Sequence, residues 1–180
     1  AFEYAVDHGA HLIVCALGTP VASNALRSGV EYAAAHGVVV IAGAGDAVKG
    51  VGQDLAASKL YPAAWSHDPS LTGHVVAVAA TEDESDHLLT SSYFSDALVD
   101  IAAPGRNLLV ARPLLGKRKS GSSGHAAALV AGAAALAGID DDLEERTGTS
   151  SEWIARVLAA ADSSALLTGK VNQGRALRFK

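Results

Sequence analysis

Short apolar runs alternate with longer helical patterns along this chain, and that alternation is the first clue to its architecture. Ala1 to Gly9 reads as a helix, with Phe2, Ala5 and Val6 on one face and Gly9 as its stop. Leu12 to Leu17 is apolar without interruption and is bounded by Gly18-Thr19-Pro20, which predicts a buried strand ending in a turn. Val21 to His36 has helical spacing, with Ala25, Val30, Tyr32, Ala33 and Ala34 supplying apolar surface and Gly37 ending it. Val38 to Ala42 is a β-branched run of the kind found in parallel strands covered on both faces, and it runs into Gly43-Ala44-Gly45-Asp46. Strand, helix, strand in this order predicts a right-handed crossover.

Further strands are expected at Val75 to Ala80 and Val99 to Ala103, and a short extended run at Asn107 to Ala111. Ala47 to Lys59 is aperiodic and reads as a loop. Lys117-Arg118-Lys119 with Ser120 to Gly124 reads as a polar, flexible stretch feeding an Ala-rich helix, His125 to Ala137, expected to be buried all round. The acidic run Asp140 to Glu145 is expected to be a solvated connection between helices. Thr149 to Ala161 predicts a surface helix, with Thr149 and Glu152 as a capping box and Trp153, Ile154, Val157 and Leu158 on one face. Asn172 to Leu177 is expected to form a last short helix. The sum is a three-layer α/β arrangement with a parallel sheet between helices.

Composition narrows the function classes. Hydrophobic residues make up 49% of the 180, enough for a core of ordinary size. The net charge is −5, with no basic block, which gives no footprint for nucleic acid. The longest apolar stretch, Ala126 to Ile139, is too short to span a membrane. Cys15 is the only cysteine, so no internal disulfide can form, and the histidines have no metal-ligand spacing; each is expected on the surface or at a cap. Neither a metal nor a cofactor is expected. The chain has no methionine and begins at Ala1, so it is expected to be a processed chain or a segment of a longer polypeptide.

The order of short motifs adds a resemblance. Gly9-Ala10-His11 followed by a strand ending in Ala16-Leu17-Gly18 resembles the subtilisin-like (subtilase) pattern Gly-Ala-Asp, strand, Ser-Leu-Gly. Gly37 to Asp46 is similar to the family strand ending in Ala-Gly-Asn. Tyr61-Pro62-Ala63 followed by Val75 to Ala80 resembles its Tyr-Pro-Ala and next strand, and Ser92-Tyr93-Phe94-Ser95 stands where the family has Phe-Ser-Asn. Val99-Asp100-Ile101-Ala102-Ala103-Pro104-Gly105 is close to the family string. Ser122 to Gly132 resembles the nucleophile loop and its helix, and Gly169-Lys170-Val171-Asn172 with Ala176-Leu177 resembles the closing motif. The resemblance implies that residues 1–180 are the C-terminal portion of a single subtilase-like domain, with the N-terminal portion lying upstream of Ala1.

Subtilase chemistry requires a serine nucleophile, a histidine base, an aspartate that orients it and an oxyanion donor. The resemblance implies that the Asp and His lie in the upstream portion. Asp7-His8-Gly9 reads as a helix C-terminus, where a histidine is favourable. Counting back without a gap from Val130-Ala131-Gly132 puts Gly124, which has no nucleophilic atom, at the nucleophile position. Leu129 then takes the place of the helix histidine and Ala128 that of the proline. A competing register keeps Gly121-Ser122-Ser123 on Gly-Thr-Ser and makes Ser123 the nucleophile. It needs one inserted residue, which turns the helix face by about 100°. Asp46 stands where the family has its oxyanion-donating asparagine. An ionised carboxylate only accepts hydrogen bonds, whereas the subtilisin asparagine is known to lower the barrier by about 3–4 kcal/mol. Some proprotein-processing subtilases carry Asp at this position. An Asx-turn after the strand is the plain alternative for Asp46.

By the same resemblance, Ala16, Leu17 and Gly18 match one wall of the specificity pocket, and Gly43, Ala44 and Gly45 the opposite wall. The groove is thus a candidate for an extended peptide, although the glycines are equally explained by the turns they make. A weak family-type cation site near Tyr61 to Ser66 would use backbone carbonyls. The expectation is a catalytically inactive scaffold or interaction subunit; the alternative is an active serine endopeptidase completed from upstream. An open sheet edge is expected, covered by the upstream portion or by a protein partner. Lys117 to Gly124 is either a solvated basic loop or an anion contact ahead of a helix.

Overall fold

The computed structural model describes residues 1–82, 85–112, 116–139 and 147–178. Helix α1 (Phe2–Asp7) leads into strand β1 (Leu12–Cys15), helix α2 (Asn24–Ala35) and strand β2 (Val39–Gly43). Strands β3 (Val75–Thr81) and β4 (Ile101–Pro104) follow, then β5 (Leu108–Arg112) and β6 (Gly116–Ser120). Helices α3 (Ser123–Ala137) and α4 (Ser150–Ala160) precede two short strands, β7 (Asp162–Ser163) and β8 (Arg175–Ala176). The main sheet runs β1-β2-β3-β4-β8-β7, parallel throughout except for the β7–β8 pair.

Alternation along the strands builds two cores. Val40 and Ala42 face one side with Val30 and Ala33 of α2. Val39 and Ile41 face the other side with Ala126, Ala127, Val130 and Ala134 of α3 and Trp153 and Ile154 of α4. Both faces of β2 are therefore covered, which is why its sequence is a continuous apolar run. Ser23 starts α2 by accepting the Leu26 N–H, and Thr149 with Glu152 closes a reciprocal capping box on α4.

Four expectations change. The helix after Ser122 is buried on one side only: Ala128, Gly132, Ala135 and Leu136 face outward, with Leu136 68% exposed. An alanine-rich helix shows no polar stripe, so its outer face is invisible in the pattern. Lys117-Arg118-Lys119 is not a loop; it lies in β6, paired antiparallel with β5 in a hairpin separate from the main sheet. The closing segment is a 3-10 turn, Asn172–Gly174, followed by β8 against β4. Strand β1 stops at Cys15, and Ala16 and Leu17 leave the ladder. The acidic run Asp140 to Glu145 lies outside the described residues.

Candidate functional site

The C-terminal ends of β1 and β2 and the N-terminus of α3 meet at one end of the sheet. Gly43 permits the approach. A Cβ there would lie 2.8 Å from both the Gly124 nitrogen and Ser123 Oγ, so only glycine lets α3 abut β2. Ser122, in extended conformation, is the N-cap of α3 and accepts the His125 N–H at 3.2 Å. Ser123 is the first helical residue and is 2% exposed.

Asp46 closes this junction. Its Oδ2 accepts the Ser123 hydroxyl at 2.7 Å and the Ser123 backbone N–H at 2.9 Å. The Ser123 Oγ in turn accepts the Gly45 N–H at 3.0 Å. A carboxylate of this chain thus caps the 15-residue helix α3, where the helix dipole favours negative charge by about 0.3–1 kcal/mol. Asp46 Oδ1 is buried and has no hydrogen-bond partner among the described residues. The backbone of Gly124 packs on Ala16: a Cβ at 124 would sit 2.8 Å from the Ala16 Cβ. No side chain fits there without movement.

A cleft of about 430 Å3 opens beside these residues, lined by Leu17, Gly18, Asp46, Val48, Leu60 and Tyr93. Ala16, Leu17, Gly18, Gly43 and Gly45 all line it. Ala44 does not: it is fully buried in the core facing α2, and its N–H is taken by Val78 O at 2.8 Å. Alternation along the segment after β2 sends that side chain inward. Gly124 and Ser123 are both at the cleft, so the structure brings the two competing nucleophile positions together with Asp46.

Ser122 is also at the cleft, and most of the other chemistry-bearing residues lie elsewhere. His8 stacks on Tyr4 and its ring contacts Tyr4 O at 2.8 Å, at the exposed end of α1. Burial pushes the Cys15 thiol up, so it is a poor nucleophile. His67 is more than a surface residue. Its Nε2 lies 2.9 Å from Asp100 Oδ1, and Asp100 Oδ2 accepts the Ala77 N–H at 2.8 Å. The hydrogen bond to Asp100 raises the His67 pKa above its ordinary value. His125 Nδ1 lies 2.7 Å from Ser122 Oγ. The Ser-x-x-His spacing at a helix start was the signal for this second pair; the first joins residues 33 apart and leaves no local signal. No group of three or more metal-ligating side chains occurs among the described residues.

Comparison with known proteins fits this geometry. The family model described as "Subtilase family" matches residues 1–162. Thermitase from Thermoactinomyces vulgaris is 30% identical over 162 residues, 83% of this chain and 52% of the relative. Subtilisin Savinase from Lederbergia lenta is 32% identical over 134 residues, 74% of this chain and 44% of the relative. The chain therefore spans about half the length of the curated relatives it matches. The self-cleaved protease domain of PatA superposes with a TM-score of 0.74 at 28% identity, over 96% of this chain and 62% of that one. A structure of subtilase cytotoxin SubAB shares the fold, with a TM-score of 0.75 at 23% identity over 98% of this chain and 60% of that one. A parallel sheet between helices, a glycine-lined cleft at its C-terminal edge and these relatives agree: the chain belongs to the subtilase family.

Proposed function

We propose that this chain is part of a degenerate subtilase domain that serves as a scaffold or interaction subunit and does not cleave peptide bonds. The observation that carries this reading is the Asp46–Ser123 junction. The carboxylate sits where the family presents an oxyanion donor and binds the first amide of α3 itself, so a developing negative charge in the cleft meets a like charge. Gly124, at the nucleophile position, has no reactive atom. Ser123, the alternative nucleophile, has its hydroxyl buried and bonded to a carboxylate and a backbone amide.

The cleft keeps apolar walls and is a candidate site for an extended peptide held without turnover. The outer edge of the sheet is the proposed place of a partner. Strand β1 is a terminal strand, its Val14 is 43% exposed, and the apolar outer face of α3 ends in exposed Leu136. The upstream portion of the same domain, or a separate protein, covers this surface. The isolated 180-residue chain is expected to be poorly soluble, and co-expression with the upstream portion to restore it.

The test is a peptidase assay of the full-length protein beside fluorophosphonate labelling. The expected result is no peptide cleavage and no adduct on Ser123. Stoichiometric modification of Ser123 would favour the active serine endopeptidase, a hydrolase completed by an upstream Asp and His.

A further inference from the structure

Ser122 and Ser123 are adjacent in the chain and differ in chemistry. Ser123 Oγ gives its proton to a carboxylate and is closed off from solvent. Ser122 lies at the cleft, neither it nor His125 is fully buried, and its Oγ stands 2.7 Å from His125 Nδ1. The same oxygen accepts the His125 backbone N–H at 3.2 Å. In the tautomer of His125 that carries its proton on Nε2, Nδ1 is an acceptor, and the Ser122 hydroxyl donates to it. Hydroxyl on imidazole is the arrangement that activates a serine for attack. Asp46 lines the same cleft, and its buried Oδ1 has no donor among the described residues.

We infer that Ser122, with His125 as its base, is a nucleophilic hydroxyl that takes acyl or phosphonyl groups from electrically neutral, activated esters and fluorophosphonates. This goes beyond the reading of the domain as a non-peptidase, and it is compatible with it. In the step, Ser122 Oγ bonds to the electrophilic carbon or phosphorus and the bond to the leaving group breaks. The leaving group departs as fluoride or a phenolate with the bonding pair, and the Ser122 proton passes to His125 Nδ1. The Asp46 carboxylate, which lines the same cleft, opposes anionic reagents and gives no support to an oxyanion. Reaction is therefore confined to electrophiles with good leaving groups, which excludes peptide amides.

The full-length protein is treated with a biotinylated fluorophosphonate, and the peptide containing Gly121 to His125 is fragmented to locate the adduct. The expected adduct is on Ser122. In H125A the labelling rate falls about 100-fold or more, and added imidazole restores part of it, a rescue that a purely structural histidine would not show. S122A abolishes the adduct; because it also removes a helix cap, S122G, which retains most capping, is run beside it with thermal melts of both. An adduct on Ser123 overturns this inference and the proposed function together. No adduct overturns only the inference. An adduct on Ser122 formed at the same rate in H125A overturns the role of His125.

Discussion

Asp46 and Asp100 stand at opposite ends of the same sheet, and each takes one backbone N–H and one side chain. Asp100 divides them between its oxygens, His67 on Oδ1 and the Ala77 N–H on Oδ2. Asp46 puts both partners on Oδ2 and leaves Oδ1 buried, with no partner among the described residues. A buried carboxylate with both oxygens satisfied ties elements together. One left half satisfied points to a position whose present residue does not complete the hydrogen bonding around it. The contrast separates the end of the domain that holds the fold from the end where the cleft lies.

The largest effect expected from this contrast is at Asp100. D100A leaves the Ala77 N–H without a partner inside the sheet and His67 without its acceptor, at a cost of about 2–4 kcal/mol. Urea denaturation of the full-length protein measures it, and a loss under about 1 kcal/mol would break the comparison. Next comes Gly124, the proposed nucleophile position. G124S forces atoms against Ala16 and should cost about 1–3 kcal/mol without any gain of peptidase activity, and A16G should recover much of that loss in a double-mutant cycle. Full stability of G124S would mean that the junction has room for a nucleophile.

D46N should be milder than D100A, changing stability by less than about 1 kcal/mol, because one amide oxygen can keep both Ser123 bonds. Equal losses at the two aspartates would remove the distinction. A smaller effect is pH-dependent. His67 has a raised pKa in the folded state because Asp100 accepts its hydrogen bond. Its contribution is therefore complete below the unfolded value of about 6.5 and is lost as pH rises through the folded value. Between about pH 6 and 8 the melting temperature of the wild type should fall relative to that of H67Q; parallel curves would refute the linkage.

Much of the fold was legible because buried parallel strands and capped helices leave local marks. Val38 to Ala42 and Thr149 with Glu152 are examples, and the order of the loops carried the family. What escaped was non-local or compositionally mute. Lys117-Arg118-Lys119 has no strand-like alternation and becomes β6 only through its register with Leu108–Arg112. The one-sided burial of α3 is hidden by alanine, which serves equally on either face. At the site, the positions of Gly124, Ser123 and Asp46 were open to sequence comparison, but the bond joining Ser123 to a carboxylate 77 residues away was not. Ala44 is buried and not in the cleft, and a glycine-rich turn gives no sign of which side chain points inward.

The β5–β6 hairpin leaves and rejoins the domain through a narrow neck. The Ser122 N–H donates to Gly105 O at 2.8 Å, and a Cβ on Gly121 would lie 2.6 Å from that same oxygen. A segment whose two ends are already fastened together behaves as an interchangeable cassette: its length and sequence can vary while the start of α3 stays in place. Doubling such an excursion costs only about 0.6 kcal/mol in closure entropy, so a length series at the tip should change stability with the logarithm of its length. A steep loss on the first insertion would show the hairpin to be part of the core framework. The hairpin that precedes α3 is, on this account, a part of the molecule free to diversify between relatives.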